Sequence, residues 1–161
     1  MEARLGVLTV SDSRSTGENE DLSGPAVVAA LRLLGYEEFE TAIVADEIEA
    51  IRDAILRLCA NCQAVFTTGG TGFTPRDVTP EATLPLLDKR ADNLSELIRL
   101  RGLEKTPMSH LSRGIAGVRG STLIVNLPGS PKGAREGIEA LGPLLGPILS
   151  ALGGEGCTAE G

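Results

Sequence analysis

The chain has 161 residues, 42% of them hydrophobic, which supplies apolar side chain for one core and too little for two. Aromatic residues make up 2% and Trp is absent, so that core must be built from Ala, Val, Ile and Leu, as in helix-covered parallel sheets. Lys and Arg number 15 against 22 Asp and Glu, a net charge of −7, which argues against nucleic acid or a membrane as partner; with no signal-peptide pattern and no run near the roughly 20 apolar residues that span a bilayer, a cytoplasmic protein is expected.

Arg4 to Ser11, R-L-G-V-L-T-V-S, is a β-branched apolar run that ends in a polar loop from Asp12 to Asp21, and it reads as a strand. Val27, Val28, Leu31 and Leu34 recur at helical spacing after Ser23-Gly24-Pro25, with Gly35 as the stop. Glu38 to Ala45 is a second strand. Asp46-Glu47-Ile48-Glu49 opens a helix carrying Ile48, Ile51, Ile55 and Leu58, with Asp46 and Glu49 as a variant capping box. Ala64 to Thr68 is a short buried strand. Strand, helix, strand, helix, strand with short joints predicts an α/β fold of three layers, a mostly parallel, Rossmann-like sheet with helices on both faces.

After a Gly-rich loop, Thr79-Pro80-Glu81 predicts a helix capped by Thr79 and reaching Lys89. Asn93 to Leu103 reads as another helix, Ser109 to Gly117 as a shorter one, and Ser121 to Leu127 as the last strand. Ser130-Pro131 starts a final helix in which Gly142-Pro143 and Gly146-Pro147 predict bends or a break. One domain over residues 1–152 is expected, with a disordered tail over 153–161.

The chemistry concentrates in Thr67-Thr68-Gly69-Gly70-Thr71-Gly72, between a buried strand and a helix start. Three missing side chains let backbone N–H groups approach an anion, and the hydroxyls can donate to phosphate oxygens. The loop would lie at the carboxyl end of a parallel strand, where open α/β sheets bind ligands, and no Gly-Lys-Ser/Thr follows to make it a P-loop. Asp77 stands just beyond it. An acid beside a phosphate cradle is unfavourable unless a cation intervenes, which points to Mg²⁺ held by carboxylate and substrate phosphate; the competing reading is an ion pair with Arg76 or another surface base.

Asp46 has two readings from the residues alone, a helix cap or an acid facing the same ligand. Ser11 and Asp12 end the first strand at that edge too. Asn126-Leu127-Pro128-Gly129-Ser130-Pro131 repeats the strand, glycine turn and capped helix, and its N–H groups could hold a second phosphate or the nucleoside. Ser112 and Arg113, with Lys105 and Arg119, form a basic stretch in an acidic chain, suited either to an anionic ligand or to a solvated helix face. Cys59 and Cys62 have C-x-x-C spacing, but a zinc site needs two more ligands that His110 and Cys157 do not offer at paired spacing, so buried structural thiols are expected. His110 reads as a surface or packing residue, since nothing adjacent would orient it as a catalyst.

The stretch Thr67 to Thr83, T-T-G-G-T-G-F-T-P-R-D-V-T-P-E-A-T, resembles the signature of the MogA/MoaB family, to which the G domain of gephyrin belongs. V-S-D-S-R at Ser11, V-A-D-E at Asp46, T-P-M-S-H-L-S-R ending at Arg113 and G-V-R-G-S-T-L-I-V-N-L-P-G-S-P ending at Pro131 follow in family order. The resemblance implies a homotrimer in molybdenum cofactor biosynthesis that adenylylates molybdopterin with Mg-ATP, releasing pyrophosphate and passing adenylyl-molybdopterin to a separate insertase. It implies that Asp46 and Asp77 are the catalytic, Mg²⁺-linked pair. Ser11, Thr67, Thr68, Gly69, Gly70, Thr71, Gly72, Asn126, Pro128, Gly129 and Ser130 would bind nucleotide or phosphate, with Ser112 and Arg113 on the molybdopterin. The alternative is a MoaB-like molybdopterin- or nucleotide-binding protein without adenylyltransferase activity; the intact R-D-V-T-P-E after the glycines favours the enzyme. Met108-Ser109-His110 departs from the family wording.

Overall fold

The first apolar run is strand β1 (Arg4–Val10) in the computed structural model, which describes residues 2–154. A one-turn helix α1 (Asp12–Ser15) sits in the polar loop, followed by α2 (Ser23–Leu33), β2 (Glu38–Val44), α3 (Ile48–Cys59) and β3 (Ala64–Thr68). Next come α4 (Thr79–Thr83), a 3₁₀ turn (Leu84–Leu86), β4 (Lys89–Arg90), α5 (Asp92–Leu103) and a second 3₁₀ turn (Pro107–Leu111). Strands β5 (Ala116–Arg119) and β6 (Thr122–Leu127) and the long α6 (Pro131–Leu152) complete the order. The part of the expected tail beyond Gly154 lies outside the described residues, and among those described no helix is long and apolar enough to cross a membrane.

The sheet order is β2-β1-β3-β6-β5-β4. β2, β1, β3 and β6 are parallel neighbours, whereas β5 runs antiparallel to β6 and β4 antiparallel to β5. Alternation sets the two cores. Leu5, Val7, Phe66, Leu123 and Val125 face α2, α5 and α6, burying against Val27, Leu31, Ile98, Ile138 and Leu141. Leu8, Val10, Val65 and Ile124 point the other way onto Ile51, Ile55 and Leu58 of α3 and Ala82 of α4. The three-layer α/β arrangement expected from the sequence is therefore present.

Four local expectations are corrected. The α4 helix stops at Thr83 instead of Lys89, because Pro85 has no N–H to bond Glu81 and its ring crowds the preceding turn. Residues 109–117 are not a helix but a 3₁₀ turn running into β5. Strands β4 and β5 extend the sheet, with Gly117 passing so close to the Lys89 carbonyl that no side chain would fit. Helix α6 runs through Pro143 and Pro147 without a break: both lie on the exposed face, so the carbonyls they free at Glu139 and Pro143 are open to water.

One polar side chain ties the sheet's rim together from inside. Asn126 is 2% exposed; its Nδ2 donates to Thr67 Oγ1 (3.0 Å) and Thr83 Oγ1 (3.1 Å), and its Oδ1 accepts from the Ile115 N–H (3.2 Å). Asn126→Ala would leave Thr67 Oγ1 and the Ile115 N–H unpaired, Thr83 keeping its bond to the Thr79 carbonyl, and would open a void, so it should cost about 3 kcal/mol, seen as a lower urea midpoint with an unchanged m-value.

Candidate functional site

In the order β2-β1-β3 the chain winds outward in one direction from β1 and in the other from β3, so the loops after these two strands diverge and leave a crevice. The Gly69–Gly72 loop occupies that crevice. Gly69 (φ 103°) and Gly70 (φ 68°) take left-handed backbone, and a Cβ would collide with the Val10 carbonyl at the first and with Thr79 Oγ1 at the second. Thr79 is thus no helix cap, as the sequence suggested: its hydroxyl donates to the Gly69 carbonyl (2.9 Å) and its N–H to the Gly70 carbonyl (3.0 Å). Arg113 completes the pattern, its N–H reaching the Thr71 carbonyl (2.8 Å) and its Nε the Gly72 carbonyl (2.8 Å). All four loop carbonyls are therefore tied inward. Among the described residues the N–H groups of Gly70, Thr71 and Gly72 donate to nothing in the protein, and successive free amides on a tight turn are donors of the kind that suit an anion.

Two carboxylates flank this loop. The cap position of α3 is Glu47, which makes no side-chain cap bond, so the helix-cap reading of Asp46 is removed. Instead Asp46 Oδ2 accepts from the Asp12 N–H (2.8 Å) and Asp12 Oδ1 from the Asp46 N–H (2.9 Å), locking the ends of β1 and β2. Asp46 Oδ1 then lies 3.1 Å from where a Cβ on Gly70 would stand. Asp77 Oδ2 lies 2.9 Å from the corresponding position on Gly72 and accepts from the Thr74 N–H (3.0 Å) and Oγ1 (2.8 Å). Asp77 is not paired with Arg76, which forks onto Asp12 with two bonds of 2.9 Å.

Burial raises the Asp46 carboxyl above the ordinary 3.8, and the charges of Asp12 and Asp77 push the same way, against the hydrogen bond from Asp12. Because the folded state disfavours its ionised form, stability is full below that value and is lost as pH rises through the folded one. At neutral pH ionised Asp46 therefore costs the fold stability, which the Asp12 N–H and the Arg76 charge offset only in part. Asp46→Asn should therefore melt at or above the wild-type temperature at pH 7.5, with the difference vanishing near pH 3, while activity is lost. Among the described residues no three His, Cys, Asp or Glu side chains group to enclose a metal. A cation here would rest on one or two carboxylates and take its other ligands from phosphate and water, the habit of Mg²⁺.

Beside the loop lies a cavity of about 270 Å³ bounded by Gly70, Thr71, Asp77, Ser112, Pro128 and Gly129. Met108, Ser109, Ser112 and Pro128 also border a second cavity of about 140 Å³, between α5 and α6, so the two adjoin. A larger space of about 630 Å³ at the β1, β2 and α2 edge is lined by Val7, Val28, Ala29 and Ile43 and shares no lining residue with these two.

Residues 6–147 match the family described as "Probable molybdopterin binding domain". The chain belongs to this family. Its sequence is 45% identical over 145 residues to a molybdopterin adenylyltransferase of Helicobacter pylori strain J99, covering 88% of this chain and 82% of that one. The molybdopterin adenylyltransferase of Escherichia coli K12 is 36% identical over 150 residues, 91% of this chain and 77% of its own. The crystal structure of the molybdopterin biosynthesis enzyme MoaB from Thermus thermophilus superposes with a TM-score of 0.84 at 49% identity, covering 97% of this chain and 99% of that one.

Within this family member the structure brings Gly69 to Gly72, Asp46, Asp77, Pro128, Gly129 and Ser112 to one rim, and leaves other expected residues beneath it. Thr67 and Thr68 are fully buried; Thr67 Oγ1 takes the Asn126 bond and Thr68 Oγ1 donates to the Pro128 carbonyl (2.6 Å). With Asn126 they fix the loops from below instead of presenting side chains to a ligand. Ser11 Oγ accepts from the Arg14 N–H (3.3 Å) as the cap of α1, and Ser130 Oγ accepts from the Gly133 N–H (3.0 Å) as the cap of α6. Ser112 Oγ donates to Thr71 Oγ1 (3.2 Å), while the Arg113 guanidinium forks onto Glu81 (2.7 and 3.2 Å) and packs over Phe73.

The basic cluster does not exist in space. The β5–β6 hairpin carries Arg119 to the opposite end of the sheet, where it donates to the Leu86 carbonyl, and Lys105 turns toward Glu136. Cys59 and Cys62 are free thiols at that far end, both pushed up to about 11 chiefly by burial, so neither is a thiolate at neutral pH. The sequence reading missed the Asp12–Arg76 fork, which braces the crevice, and the bracing role of Thr79.

Proposed function

We propose that this protein transfers AMP from ATP to the terminal phosphate of molybdopterin in molybdenum cofactor biosynthesis. The observation that carries the reading is the inward tying of all four carbonyls of Gly69–Gly72, which leaves three amides for phosphate between two carboxylates. An oxygen of the molybdopterin phosphate attacks the α-phosphorus of ATP; the bond from that phosphorus to the bridging oxygen breaks, and pyrophosphate leaves with the electron pair. Two anions must meet, so the protein's contribution is position and charge neutralisation. The amides of Gly70, Thr71 and Gly72 bind phosphate oxygens, Gly129 and Ser130 offer further N–H groups, and Ser112 orients the second substrate. Asp46 and Asp77 would hold Mg²⁺, which supplies the positive charge that lets phosphate lie against two acids.

On the same reading the protein works in the cytoplasm as a homotrimer and hands its product to a separate insertase, the family resemblance being the support for these. ATP labelled at the α-phosphate should transfer label to molybdopterin, and ATP labelled at the γ-phosphate should yield labelled pyrophosphate only when molybdopterin is present. Label retained in ATP under those conditions would defeat the proposal.

A further inference from the structure

The smaller cavity carries one unmet acceptor. Its walls are apolar, from Ile98, Met108, Pro128 and Gly137, and its other polar side chains are engaged within the protein. Ser109 Oγ donates to the Arg99 carbonyl (2.6 Å), Arg99 Nη1 donates to the Gly114 carbonyl (2.8 Å), and Thr106, Ser112 and Ser130 each have a partner. Glu136, on α6, also lines the cavity, and its Oε1 is buried without a hydrogen bond; the nearest cation, Lys105 Nζ, stands 4.0 Å away, beyond hydrogen-bond reach. A carboxylate oxygen kept from water and left unbonded is costly to the fold, so a ligand that supplies donors here gains that energy back.

We infer that Glu136 is the specificity-determining acceptor for the aminopyrimidinone edge of the pterin ring. That edge presents two parallel N–H donors, from N3 and the 2-amino group, which match the two oxygens of one carboxylate, and the terminal carboxylate torsion turns readily to meet them. A flat ring suits a narrow apolar slot. The slot adjoins the phosphate loop through Ser112 and Pro128, so a ligand with its ring on Glu136 extends its phosphate arm toward Gly70–Gly72. The inference rests on the adenylylation reading for the identity of the ring; the acceptor itself is a property of this chain.

The test uses the intact protein, with molybdopterin, and with pterin and lumazine as ring probes followed by their own fluorescence. Lumazine carries an oxygen where pterin has the 2-amino group, so it meets a carboxylate with an acceptor. Wild type should bind pterin at least about 10-fold more tightly than lumazine. Glu136→Gln, nearly the same shape, should weaken molybdopterin about 10-fold or more and lose or reverse the ring preference, since its amide can donate to the 2-oxo group, with ATP affinity unchanged. Lys105→Met removes the cation 4.0 Å from Glu136 Oε1 and should keep the preference for pterin. An unchanged ring preference in Glu136→Gln, or equal binding of the two rings by wild type, overturns the inference while leaving adenylylation standing. Failure of wild type to bind molybdopterin at all overturns both.

Discussion

Asp77→Asn should lower AMP transfer at least about 100-fold while molybdopterin binds as to wild type. The side chain has two jobs in the structure, and this substitution separates them. Its Oδ2 closes the Thr74–Asp77 turn through bonds of 3.0 and 2.8 Å, and an asparagine oxygen can accept both. What asparagine cannot supply is negative charge beside Gly72. Asp77→Ala removes turn and charge together, so it should lose activity and also lower the melting temperature. If Asp77→Asn turned over normally and Asp77→Ala did not, Asp77 would be a turn former and the cation assignment would fail. Steady-state pyrophosphate release, with excess Mg²⁺ present to test for rescue, reads the difference.

The second large effect is expected at Gly70. Gly70→Ala puts a side chain on left-handed backbone, about 1–2 kcal/mol of strain, and drives it into Thr79 Oγ1, which must then release the Gly69 carbonyl. Losing that bond adds about 1 kcal/mol, so the fold should be destabilised by about 2–3 kcal/mol. Activity should fall further than stability, because the loop can no longer aim its amides, and the new methyl would stand 3.1 Å from Asp46 Oδ1. Gly120→Ala is the control. Gly120 has φ 58°, and a methyl added there would meet nothing within 4 Å, so it should show the backbone strain alone, with full activity. Urea midpoints and transfer rates on the two variants distinguish a strained turn from a damaged cradle.

The parallel core was legible because β1, β3 and β6 are buried on both faces and read as predominantly apolar, β-branched runs ending in polar or Gly-rich loops. The Gly-rich loop was legible for a related reason: three glycines after such a strand have few other uses. Strands β4 and β5 escaped notice because they hold two and four residues, with Lys89, Arg90 and Arg119 among them, and exist only through pairing with β6 and each other. Pro85 did signal the early end of α4, and weighing it above the apolar spacing would have placed the stop.

Side-chain assignments failed where the deciding partner was distant in the chain. Asp46 looks like a cap until the Asp12 N–H, 34 positions away, claims its oxygen. Arg113 looks like a ligand-binding base until Glu81 and the Gly72 carbonyl occupy its fork. Local spacing carries no information on which of several competing partners wins, and that competition is settled by how β1, β3 and β6 stack their loops at one end. Glu136 illustrates the converse: in sequence it is one more acid on an exposed-looking helix, and only the packing of α5 against α6 buries its oxygen.

On the proposed reading the free amides of Gly70, Thr71 and Gly72 grip nucleotide phosphate, with Asp46 and Asp77 recruiting the cation. The decisive readout is the backbone amide chemical shifts of those three residues, followed as a non-hydrolysable ATP analogue is added with Mg²⁺. All three should move downfield together, and the shifts should shrink when Mg²⁺ is withheld. An analogue that binds and moves other amides, while these three stay in place, would contradict that reading.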